Sequence, residues 1–103
     1  MRSPAEIKKL IETRLKRYLS RDRTGIRHET LRLFLTVKSL TIADIYEKLG
    51  KRFSISYHSV AAMVGIIASR LGILHITRNR ENTCSMYQLK EQYIDIVVRI
   101  VGM

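Results

Sequence analysis

The segment from Thr41 to Gly72, followed at once by an alternating pattern through Leu89, constrains this chain more than any other feature. Thr41-Ile42-Ala43-Asp44 places a hydroxyl at a helix start and a carboxylate three residues on, the spacing that lets each satisfy the other's backbone amide. Ile42, Ile45 and Leu49 follow at helical spacing, and Gly50 is expected to stop that helix in the left-handed conformation. Lys51 to Ile55 then form a turn, Ser56 caps a longer helix, and Tyr57, Val60, Met63, Val64, Ile67 and Leu71 make its buried stripe until Gly72 closes it. Leu74 to Thr77 and Ser85 to Leu89 flank the polar Asn79-Arg80-Glu81-Asn82, which predicts a hairpin with a four- to five-residue tip. Two capped helices joined by a turn and backed by a hairpin wing form a binding architecture before a catalytic one.

The flanks add two helices on the N-terminal side and an apolar segment on the C-terminal side. Ser3-Pro4-Ala5-Glu6 joins an N-cap serine, proline at the first helical position and a glutamate placed to reach back, so a basic helix is expected over 4–20. Its apolar face is Ile7, Leu10, Ile11, Leu15, Tyr18 and Leu19, and it gives way near Thr24-Gly25. Ile26, Leu31, Phe34, Leu35 and Val37 indicate a second helix ending before Ser39, with a short extended link through Leu40. The apolar segment 91–102 fits two periods: Ile94, Val97, Val98 and Val101 lie on one helical face, whereas Ile94, Ile96, Val98 and Ile100 alternate as in a strand. Helix is favoured because Lys90, Glu91 and Gln92 are good helix formers, against the β-branched residues that follow. The expected architecture is mainly α with a small β-hairpin, a single domain over 1–103 with its core at about 25–89.

Composition narrows the partners. Nineteen Lys and Arg against nine Asp and Glu leave a net charge of +10, which selects polyanions such as nucleic acid or an acidic membrane surface. Residues 1–38 carry +7 of it and residues 39–103 carry +3. The longest apolar run, Val60 to Ala68, is too short to span a bilayer, and the charged N-terminus has no signal-peptide core, so a soluble, unprocessed cytoplasmic protein is expected. Cys84 is the single cysteine, which excludes an internal disulfide and zinc sites built on paired cysteines. No metal or cofactor is expected, and no enzyme: His28, His58 and His75 lie on different elements, and there is neither a glycine-rich phosphate loop nor a carboxylate pair at ligand spacing.

The order helix, helix, extended link, helix, turn, helix, hairpin, tail resembles the winged-helix superfamily over about Gly25 to Leu89. Leu40-Thr41-Ile42-Ala43-Asp44-Ile45, Arg70-Leu71-Gly72-Ile73-Leu74 and Tyr87-Gln88-Leu89 stand where many such regulators carry similar residues. More narrowly, Ser20 to Arg27 and Ala62 to Leu74 look like an uncharacterised family of small archaeal proteins of this fold. That resemblance implies an archaeal cytoplasm and no assigned activity.

In such a fold the helix after the turn would lie in a DNA groove, showing His58, Ala62, Gly65 and Ser69, with Ser59 and Ile66 beside them. That face has no Arg, Lys, Asn or Gln to pair with base edges, so contact is expected chiefly with phosphates. Ser56, Tyr57, His58, Ser59 and Ala62 at the helix start, Lys51 and Arg52 in the turn, and Arg78 and Arg80 at the wing are the candidate DNA-binding residues. Each has a plainer reading as a cap or a solvated surface charge. The apolar tail is expected to seat a homodimer through Ile94, Val97, Val98 and Val101. Double-stranded DNA binding by a transcription regulator or chromatin-associated factor is the leading reading. A protein-interaction domain, using the small face of that helix, and RNA binding through the basic N-terminal helices are the alternatives.

Overall fold

The computed structural model describes residues 2–78, 81 and 84–102. Five α-helices run in the order α1 (Pro4–Ser20), α2 (Ile26–Thr36), α3 (Ile42–Gly50), α4 (Tyr57–Ile66) and α5 (Ile94–Val101). Between the last two lie a π-turn (Ile67–Leu71) that continues α4, the antiparallel strands β1 (Leu74–Arg78) and β2 (Ser85–Leu89), and a 3-10 turn (Glu91–Tyr93) that leads into α5.

The helix starts are made by local capping. Ser3 Oγ accepts the Glu6 amide at 3.2 Å with Pro4 at the first helical position. Thr41 and Asp44 form the reciprocal box, Oγ1 accepting the Asp44 amide at 3.1 Å and the Asp44 carboxylate accepting the Thr41 amide at 3.0 Å. Ser56 Oγ accepts the Ser59 amide at 3.1 Å. The start of α2 is different, because Gly25 is left-handed (φ 88°) and supplies no side chain. Asp22 reaches forward instead, its carboxylate accepting the amides of Gly25 at 3.2 Å and His28 at 3.1 Å and pairing with His28 Nδ1 at 2.7 Å. Burial alone would raise the Asp22 carboxyl, but the hydrogen bonds from the His28 ring and from the His28 and Arg27 amides, with the charge of His28, hold it below its ordinary value.

Leu15, Leu31, Leu40, Ile45, Val60, Val64, Ile67, Ile73 and Val97 are almost wholly inaccessible and link every helix to the hairpin base in one core. Leu40 exchanges two backbone hydrogen bonds with Tyr87 (2.9 and 2.8 Å), so the link after α2 pairs with β2 and fixes the hairpin against the helices. β1 pairs with β2 from Leu74↔Leu89 to Arg78↔Ser85. The expected tip residues Asn79, Asn82 and the candidate DNA contact Arg80 lie outside the described residues.

Three local expectations are corrected. Gly50 is the last residue of α3 and is not left-handed; that conformation falls to Gly25, Gly72 and Gly102, and α3 ends through Lys51 in an ordinary right-handed conformation. Tyr57 does not join the buried stripe of α4 but is 50% exposed. It sits at the first position of the helix, and side chains there lean back past the N-terminus, beyond the core that begins at Val60. The tail is a helix with its buried stripe rotated: Tyr93, Ile96, Val97 and Val101 face inward and Ile94 is 38% exposed. Val97 and Val101 are therefore consumed by the chain's own core, where α5 lies against α1 and α2, and are withdrawn from any partner surface.

Candidate nucleic-acid interface

The outward side of α4 is uncharged and shallow. His58, Ser59, Ala62, Gly65 and Ser69 are all exposed, while Val60, Met63, Val64 and Ile67 hold the opposite side in the core. A Cβ placed on Gly65 would meet open space, so its small size is not demanded by packing within the chain. By position, the amides of Tyr57 and His58 have no intrahelical partner, and the positive end of the α4 dipole adds to them. Ser56 Oγ also donates toward Ser59 Oγ at 3.0 Å, which ties both hydroxyls to the capping geometry.

Tyr57 meets Tyr46 of α3 edge to face, with ring centroids 5.6 Å apart and planes at 68°. Tyr46 is 39% exposed and carries no signal in the local sequence, since its place beside α4 depends on how the two helices cross. The pair gives the rim of the face two phenol groups beside the helix start, and phenols donate readily to phosphate oxygens.

The bracketing cations differ from one another. Lys51 is exposed at the end of α3 with no carboxylate within ion-pair distance among the described residues. Arg52 is engaged: its guanidinium lies 3.2 Å from Glu29 of α2, a carboxylate that also holds Arg32 at 3.6 Å, and 5.9 Å from the Phe53 ring centroid. Its charge is partly offset, so it anchors the turn to α2 as well as facing solvent. Arg78 ends β1, exposed and outside every ion pair among the described residues. The structure thus brings Ser56, Tyr57, His58, Ser59 and Ala62 onto one surface with Tyr46 added.

A three-helix core with a turn between α3 and α4, closed by a two-stranded hairpin to which the preceding link is paired, defines a winged helix-turn-helix fold. The chain belongs to the family described as "Protein of unknown function (DUF2551)", which matches residues 15–97. It is similar to an uncharacterised protein of Archaeoglobus fulgidus, 45% identical over 92 residues that cover 88% of this chain and 92% of that one. It is also similar in fold to the crystal structure of a cysteine-to-serine mutant of MarR from E. coli, with a TM-score of 0.62 and 16% identity, covering 94% of this chain and 71% of that chain. No helix among the described residues is long and apolar enough to cross a membrane.

Proposed function

We propose that this protein binds double-stranded DNA through phosphate contacts, as a cytoplasmic transcription regulator or chromatin-associated factor rather than an enzyme. The observation that carries the reading is the exposed, uncharged face of α4: the amides of Tyr57 and His58 at its start, which have no intrahelical partner, adjoin a turn bearing Lys51 and Arg52 and precede a wing bearing Arg78. Small residues let a duplex backbone approach, and the surrounding cations make the approach favourable without naming a base.

Neutralising four to six phosphates gives a log-log salt slope of roughly −4 to −5. Fluorescence anisotropy with a labelled duplex of random sequence, titrated at several salt concentrations, tests this. Absence of binding at micromolar protein in low salt sinks the reading. A protein partner on the same face is the second reading, favoured by the exposed Tyr46–Tyr57 pair beside a surface that lacks base-reading side chains. A homodimer, if it forms through the tail, uses Ile94 and the half-buried Val98 in place of the buried Val97 and Val101. Ile94→Asp converting a sedimenting dimer to a folded monomer supports that arrangement, and a wild-type monomer at tens of micromolar ends it.

A further inference from the structure

A dense cluster of positive charge lies beside the α4 face rather than on it. A cleft of about 620 Å3 opens where the end of α1, the start of α2 and the π-turn after α4 meet, and five arginines line it: Arg14, Arg17, Arg21, Arg27 and Arg70. Arg14, Arg17 and Arg21 follow one another at spacings of three and four along α1 and so share a stripe. Arg27 arrives from α2, fixed by a 2.7 Å hydrogen bond to the Tyr18 carbonyl and lying 4.3 Å over the Tyr18 ring centroid. Arg70 comes from the π-turn, a distortion of helical structure that recurs at functional sites.

No carboxylate lines the cleft. Among the described residues none of the five arginines is within ion-pair distance of an Asp or Glu, although Glu12, Asp22 and Glu29 are each paired elsewhere. Complementing helix ends explains only part of it. α1 and the π-turn both terminate at the cleft, and each C-terminus presents about half a negative charge; with Arg27 already seated on the Tyr18 ring and carbonyl, Arg14, Arg17, Arg21 and Arg70 still outnumber that partial charge. Like charges at such spacing destabilise a helix, so stability alone gives no reason to gather them. The remaining wall is Tyr18, Ile66, Ser69 and Leu71, a phenol ring, two aliphatic side chains and one hydroxyl.

We propose that this cleft is a binding site for a small anion carrying several phosphate groups, held by forked contacts from Arg14, Arg17, Arg21, Arg27 and Arg70. Guanidinium forks match phosphate oxygens two at a time, and five of them in one concavity suit a compact, multiply charged ligand better than single charges spaced along an extended strand. The cleft shares Ile66 and Ser69 with the α4 face, but its five arginines are not among the residues the DNA reading invokes, so the proposal stands whether or not that reading holds.

The test is calorimetry of the full chain with inorganic tripolyphosphate at near-physiological salt, where diffuse surface attraction is screened. Saturable binding of one ligand per chain is expected. Arg17→Ala with Arg70→Ala should weaken it by about 30-fold or more, the loss of two charge-assisted contacts. Lys8→Ala with Lys9→Ala removes the same charge from elsewhere on α1 and should change affinity by no more than about twofold, the scale of a surface charge seen through salt. Arg14→Ala with Arg21→Ala, also exposed positions, checks that the loss is not particular to one variant's folding. Three results overturn the proposal: no saturable binding, equal losses in the cleft and control variants, or a cleft variant that loses a labelled duplex as severely as it loses tripolyphosphate. The last outcome would assign the arginines to nucleic-acid backbone instead.

Discussion

The exposed side of α4 and the arginine cleft adjoin one another, since Ile66 and Ser69 belong to the α4 surface and also line the cleft, yet they are built on opposite plans. The α4 side is neutral and open, with cations set around it on a turn and a strand end. The cleft is concave and carries five guanidinium groups with no carboxylate. An extended polyanion such as a duplex offers one charge per short step over a long surface, which suits dispersed cations around a small-residue face. A compact anion presents its charges together and needs convergent donors. The contrast teaches that a net charge of +10 describes two different surfaces.

Ala62→Glu tests the contrast most severely. The position is exposed, the helix tolerates glutamate, and a negative charge in the middle of the α4 face should lower duplex affinity by about 30-fold, near 2 kcal/mol, while tripolyphosphate binding is kept. Equal loss of both ligands would merge the two surfaces into one.

Next in size is Asp22→Ala, which removes the carboxylate that organises the loop between Arg21 and Arg27. Loss of a cap with charge-assisted hydrogen bonds costs about 2 kcal/mol at neutral pH, read by urea unfolding. Because the folded Asp22 carboxyl lies below its ordinary value, its stabilisation is complete above the unfolded-state pKa of about 3.9 and is lost as pH falls through the lower, folded one. The variant should therefore lose less stability than the parent on acidification across that window. An unchanged pH profile contradicts this role.

Gly72→Ala probes the stop that shapes the cleft's π-turn. Gly72 has φ 69° and its amide donates to the Ile67 carbonyl at 3.2 Å, so alanine is strained there even though the space is open, at about 1–2 kcal/mol. Arg78→Ala should act only on the DNA side, weakening all duplexes alike by about threefold to fivefold and making the salt slope shallower by about 0.9. The smallest effect, and opposite in sign, belongs to Gly50→Ala. Gly50 is helical with open space around it, so alanine should stabilise by about 0.4–1 kcal/mol. Destabilisation there would restore the left-handed stop.

Helix starts were legible because capping needs only three or four consecutive residues: Ser3 with Glu6, Thr41 with Asp44 and Ser56 with Ser59 carry their partners in the same turn. The hairpin strands were legible for a similar reason, through alternation and a polar gap. The DNA-facing set was legible only as a pattern. Arg52 shows why, since its partner Glu29 lies on another helix and no spacing rule reaches that far.

By itself, then, the amino-acid order determined where α1, α3, α4 and the two strands begin, the basic character of the chain and the buried stripe of α4 from Val60 onward, nearly all of them consequences of contacts within a few residues. Tertiary structure alone decided the rest. The rotation of α5 against α1 and α2 chose Tyr93, Ile96, Val97 and Val101 for the core over Ile94, because apolar faces compatible with the same sequence differ only in what they meet. Crossing of α3 and α4 set Tyr46 against Tyr57, and the meeting of three elements turned Arg14, Arg17 and Arg21 from a solvated stripe into a cleft with Arg27 and Arg70. Charge is a property of each residue, but the field it makes depends on which residues the fold brings together and which carboxylates it keeps away.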